Sequence, residues 1–216
     1  MKAKVLLTVL FFALLTSLTC QAVLGGVEKV EITPENPVVG DLVKATLIAS
    51  PGESVNVVLS FKCEVPVSNG KYRLEFESIE IPSPPNSFTV KATNVKILHV
   101  SVKIFFWITK SVEASNGVAT MSQGNVPAGT YHVVIHGDAV EGASKVKLEI
   151  YASATVTVGA DGTYSYQYDT SGLTAGSTIS AKVGSITKSV TLSAPQQTTP
   201  SQPSTCLLYT SPSPRD

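Results

Sequence analysis

Three histidines, three cysteines (Cys20, Cys63 and Cys206), a few paired carboxylates and a row of tyrosines are the side chains with chemistry to offer in this 216-residue chain. His132 and His136 stand four apart, a spacing that shares one face of a strand. On a strand they lie about 13 Å apart, too far to grip one metal ion without a bulge. They alternate with Val133 and Ile135 and are expected on a solvated strand face. His99, in Leu98-His99-Val100, has no companion in sequence and is expected to be structural. Asp138 with Glu141, and Asp161 with Asp169, could offer loop oxygens to calcium, but neither pair has the density of a calcium loop. The turn Asp161-Gly162 accounts for Asp161 by itself. Tyr164, Tyr166 and Tyr168 fall on one strand face and could stack on sugar rings. Trp107 is expected to pack. No nucleophile elbow, phosphate loop, zinc-type cysteine pair or dinucleotide glycine pattern occurs. The reading is therefore of a chain with no catalytic, cofactor-binding or metal-binding residues, not an enzyme.

These residues sit on strands. From Val55 to Val67 every odd position is apolar, a period of two sustained over more than ten residues. Cys63 belongs to the inward set and is expected to be a small buried residue. Asn69-Gly70 supplies the left-handed conformations of a tight hairpin turn. Tyr72, Leu74 and Phe76 resume the alternation, and Pro82, Pro84 and Pro85 break it because proline gives no ladder donor. Val95–Lys110 is apolar on both faces, so it is expected to be one strand covered on both sides.

The pattern repeats at an offset of roughly 90 residues. Asn36-Pro37-Val38-Val39-Gly40 aligns with Asn125-Val126-Pro127-Ala128-Gly129, and Asn69-Gly70-Lys71-Tyr72 with Asp161-Gly162-Thr163-Tyr164. Under that alignment the tyrosine row matches Tyr72, Leu74 and Phe76, which points it toward the core. Short alternating strands with regular turn signals predict an all-β fold, two tandem immunoglobulin-like antiparallel β-sandwiches over 27–110 and 117–193. The segment Glu113–Gly117 is the expected linker between them.

Both ends lie outside this plan. Lys2 and Lys4 precede the apolar run Val5–Leu15, and small residues follow, so residues 1–22 are expected to be a helical signal peptide. Residues 194–205, rich in Ser, Thr, Pro and Gln, are expected to form an extended stalk open to O-glycosylation. Residues 206–216 resemble a translated sequencing adapter, so the natural protein is expected to continue beyond Thr205. Removing Lys2, Lys4 and Arg215 from the 16 basic residues, and Asp216 from the 16 acidic ones, leaves a slightly acidic remainder. That balance argues against a nucleic-acid partner. With Cys20 in the expected signal peptide and Cys206 in the adapter-like tail, Cys63 alone remains and makes no internal disulfide.

Asp161-Gly162-Thr163-Tyr164-Ser165-Tyr166, Leu173-Thr174-Ala175-Gly176 and Val190-Thr191-Leu192 resemble the Ig-like repeats of secreted prokaryotic surface proteins. The span Val27–Leu192 resembles cell-envelope proteins of methanogen-related archaea. That resemblance implies an extracellular or cell-surface protein in adhesion, envelope or surface-layer assembly. Its partners would be envelope proteins or glycans, with the membrane met only through the signal segment or a missing C-terminal anchor. The alternative is a carbohydrate-binding accessory module of a secreted enzyme, with the tyrosine row as its platform.

Overall fold

The computed structural model describes residues 26–195; the expected signal helix, most of the expected stalk and the adapter-like tail lie outside them. The described chain is all-β. Its strands are β1 (Lys29–Thr33), β2 (Leu42–Ile48), β3 (Ser54–Pro66), β4 (Lys71–Ile81), β5 (Asn86–Thr93), β6 (Ile97–Lys103) and β7 (Trp107–Glu113), followed by β8 (Val118–Gly124), β9 (Gly129–Asp138), β10 (Lys145–Thr157), β11 (Thr163–Asp169), β12 (Thr178–Val183) and β13 (Ile186–Thr191). A single 3-10 turn, Thr170–Gly172, follows β11.

The alternation read from Val55 to Val67 becomes one 13-residue strand, β3, with Val55, Phe61, Cys63 and Val65 buried. The Asn-Gly turn forms too: Asn69 and Gly70 both have positive φ, and Ser68 and Lys71 exchange backbone hydrogen bonds. Its flanking strands do not pair. β3 enters a six-stranded sheet and β4 a four-stranded one, so the tight turn is a corner between layers. Asn116-Gly117 repeats that device between β7 and β8, with Ser115 and Val118 bonded to each other. The segment expected to link two domains is a corner of the same kind.

Three antiparallel sheets result, ordered β1-β2-β11, β13-β12-β3-β10-β5-β8 and β4-β9-β6-β7. Each holds strands from both of the units expected at 27–110 and 117–193, so those spans do not fold as separate tandem sandwiches. The repeat itself is visible: β1–β6 and β8–β13 are the two copies, and β7 is an extra strand between them. The copies exchange partners. The third strands, β3 and β10, pair with each other along thirteen positions. β3 pairs with β12 and β10 with β5, the third strand of each copy against the fifth of the other. β2 pairs with β11 and β9 with β4, second against fourth. Strand periodicity states which face is buried but not which neighbour completes the ladder, because backbone hydrogen bonds are the same for every sequence.

The smaller sheets lie side by side over the six-stranded one, and one apolar cluster runs beneath both, from Val30, Leu47 and Ile179 to Leu98, Ile135 and Leu148. Pooling two half-cores into one raises the fraction of apolar surface each copy removes from water. Gly137 in β9 shows how close the packing is: a Cβ there would meet the Ile97 carbonyl oxygen at 2.1 Å and the Tyr72 hydroxyl at 2.9 Å. The missing side chain lets the Tyr72 hydroxyl donate to Ile97 O at 3.1 Å.

Candidate functional site

The four-stranded sheet carries on its outer face the polar groups that sequence left scattered. β6 sets His99 opposite His136 on β9, with ring centroids 5.0 Å apart. His99 Nδ1 shares a hydrogen bond with Ser111 Oγ at 2.6 Å, and His136 Nε2 with Ser101 Oγ at 3.0 Å. Burial, then the nearby charges of His99, Arg73 and Lys71, holds the His136 pKa below the ordinary imidazole value. His132 bonds to Glu75, whose carboxyl is held down by hydrogen bonds from Arg73 and His132. His99 thus has a companion after all, from another strand. The Ser101–His136 contact looks like a nucleophile beside a base. However, Ser101 is buried and its hydroxyl is shared with Thr109 Oγ1 at 2.7 Å, which leaves no approach for a substrate.

Three of the four carboxylates weighed as calcium ligands are engaged locally. Asp138 bonds to Lys71 Nζ, Asp161 accepts from the Thr163 N–H and hydroxyl, and Asp169 accepts from Ser171 N at the start of the 3-10 turn. Among the described residues no group of three His, Cys, Asp or Glu side chains converges. Cys63 is buried, and burial pushes its thiol up to about 12, far from the thiolate a nucleophile needs.

The tyrosine row faces inward. It lines an apolar cleft where β11, at the edge of one small sheet, meets β4, at the edge of the other. Tyr168 is buried against Phe61, with centroids 4.8 Å apart, and against Phe76 at 6.0 Å. The Tyr166 hydroxyl crosses the cleft to donate to Glu80 O at 3.1 Å, and burial pushes its pKa up to about 12. The cleft measures about 90 Å³. That is below the ~150 Å³ that admits a benzene ring in a protein core.

The opposite situation holds at the hairpin of β6 and β7. Val95–Lys110 is not one doubly covered strand. The chain reverses at Ile104–Phe106, where Ile104 N bonds to Phe106 O and Lys103 faces Trp107. Sequence missed this turn because it holds no glycine, proline or asparagine. Leu98, fully buried, roots the hairpin in the core, and β7, whose only sheet partner is β6, forms the edge. The tip runs past the core, and Ile104, Phe105, Phe106, Trp107 and Ile108 are all exposed, Phe105 by 93 % and Phe106 by 68 %.

No family model, curated protein or solved structure matches this chain.

The tip therefore stands on its own physics. Five consecutive apolar side chains present on the order of 500 Å² to water, as large as the biggest patch on an ordinary monomer. Trp107, expected to pack, meets the His132 ring edge-on, at 5.0 Å between centroids, and is still 46 % exposed. The signal that could have found this site was the run Ile104–Ile108 itself: five large apolar residues have no alternating face to hide.

Proposed function

We propose that the protein is a non-catalytic secreted or cell-surface protein, an immunoglobulin-like envelope component that acts in adhesion or surface-layer assembly. It works by burying the Ile104–Ile108 tip in a partner. The carrying observation is that tip: an apolar protrusion costs solubility and is kept where something covers it. The tyrosine row faces inward, with Tyr168 buried and Tyr164 and Tyr166 half-buried, which weighs against the carbohydrate-binding alternative. Three polar corners, Asn69-Gly70, Asn116-Gly117 and Asp161-Gly162, anchor the sheets while leaving the hairpin free to project.

The test has two arms. Protease accessibility on intact producing cells should show the chain at the surface, and purified protein should sediment with isolated envelopes. The double variant Phe105→Ser/Phe106→Ser should lose that sedimentation with its fold intact. A chain retained inside the cell, or a variant that sediments like the parent, overturns the reading.

A further inference from the structure

We infer that the occupant of the hairpin tip is a lipid bilayer surface, which Ile104–Ile108 enters while the sandwich stays outside. This rests on the reading above that the tip is the binding surface, and it names the partner.

Shape comes first. The tip is convex and apolar: the turn residues Ile104, Phe105 and Phe106 are exposed, and so are Trp107 and Ile108, which as neighbours on β7 point to opposite faces. A flat protein surface covers one side of such a loop. A bilayer covers every side at once.

The charge pattern agrees. Lys103 ends β6 directly below the tip, and Lys110 follows three residues after Trp107. No Asp or Glu occurs from Ile81 through Val112, a stretch holding Lys91, Lys96, Lys103 and Lys110. Lys103 at this level reaches anionic headgroups while its stem lies along apolar surface, and Lys110, in register with Val100, adds positive charge three residues further back. Among the groups near the base of the tip, His132 is bonded to Glu75 and Gln123 to Lys110 Nζ, while Glu80 lies further off on β4, opposite Thr130. Glu75 is thus held by His132 and Arg73 rather than left to repel a headgroup.

Depth is the third point. From Lys103 to Phe105 is two residues, about 7 Å along a strand. An element lying in the headgroup boundary buries its apolar face about 5–10 Å deep. Trp107 pairs with Lys103 and sits at the lysine level, the headgroup boundary where tryptophan is enriched in membrane proteins.

Trp107 is the only tryptophan in the chain, so its emission reports on the tip whatever the rest of the protein does. The experiment titrates the full chain with vesicles of phosphatidylcholine containing about a third phosphatidylglycerol, and with pure phosphatidylcholine. The expected result is a blue shift of Trp107 emission and quenching by brominated acyl chains. Apparent affinity should fall roughly ten-fold or more for Phe105→Ser/Phe106→Ser, which removes inserted apolar area. Lys103→Glu/Lys110→Glu should lose the preference for the anionic vesicles and its salt sensitivity while keeping the circular dichroism spectrum. Unshifted emission with both vesicle types overturns the lipid proposal. If envelope sedimentation then still depends on the tip, the occupant is an envelope protein or glycan and the broader reading stands. Concentration-dependent oligomers abolished by Phe105→Ser/Phe106→Ser, without a vesicle response, assign the tip to a second copy and overturn it as well. A clear vesicle response from a chain that never leaves the cell sinks the surface reading alone.

Discussion

Two aromatic clusters of similar apolar content meet opposite fates in this molecule. Tyr164, Tyr166 and Tyr168 project from β11 into a cleft where Phe61 and Phe76 close over Tyr168. Phe105 and Phe106 stand on a hairpin tip open to water, with Trp107 half-exposed against His132 beside them. Topology makes the difference. β11 sits at a sheet edge that abuts the edge of a neighbouring sheet, and both lie over the six-stranded layer. The β6–β7 hairpin lies at the far edge of the four-stranded sheet, and its final residues overrun that layer. The first cluster is spent on stability. The second leaves its hydrophobic free energy available for a partner.

The largest expected effect tests the buried side. Tyr168→Ala should cost about 3–5 kcal/mol in a urea titration, since it removes a packed ring and leaves a cavity. A cost below about 1 kcal/mol would mean that the cleft is looser than its geometry. Tyr166→Phe keeps the ring and removes only the bond to Glu80 O, so about 1 kcal/mol is expected from the same measurement. At the tip, Phe105→Ser should change stability by no more than about 0.5 kcal/mol, because an exposed ring gains little from folding. A larger loss would show that the tip packs on its own sheet and would erase the contrast.

The smallest effect concerns the histidine face beneath the tip. The His136 pKa is depressed in the fold, so its neutral form is the one the native state favours. Its contribution is fully present above the unfolded value, about 6.5, and is lost as pH falls below it through the folded pKa. The urea midpoint should therefore drop between pH 7 and pH 5, and His136→Gln should flatten part of that drop. The carboxylates Glu75 and Asp138, with lowered pKa values, contribute stability above their unfolded values that is lost at lower pH, below about 4. The two windows separate in a pH series.

How much was legible shows in particular residues. The inward face of β3, the buried Cys63 and the core-facing tyrosines follow from alternation and from comparing the two copies, since side-chain direction is fixed by a local period of two. The positive φ of Asn69, Gly70, Asn116, Gly117 and Gly162 follows from residue type. The reversal at Ile104–Phe106 did not, because large apolar residues carry no turn signal. The His99–His136 pair did not either: it joins residues 37 positions apart through a register that only the assembled sheet defines.

The sequence by itself determined that the chain would be strands and corners, and which side of each strand would be apolar. Local backbone preferences and pleat geometry act over a few residues and need no partner. Tertiary structure alone decided that the two copies exchange their later strands, that the tight turns join layers instead of hairpins, and that the apolar hairpin tip ends uncovered. Ladder hydrogen bonds are blind to sequence, so pairing is settled by which arrangement buries the most apolar surface across the whole chain, and the tip is what that arrangement leaves outside.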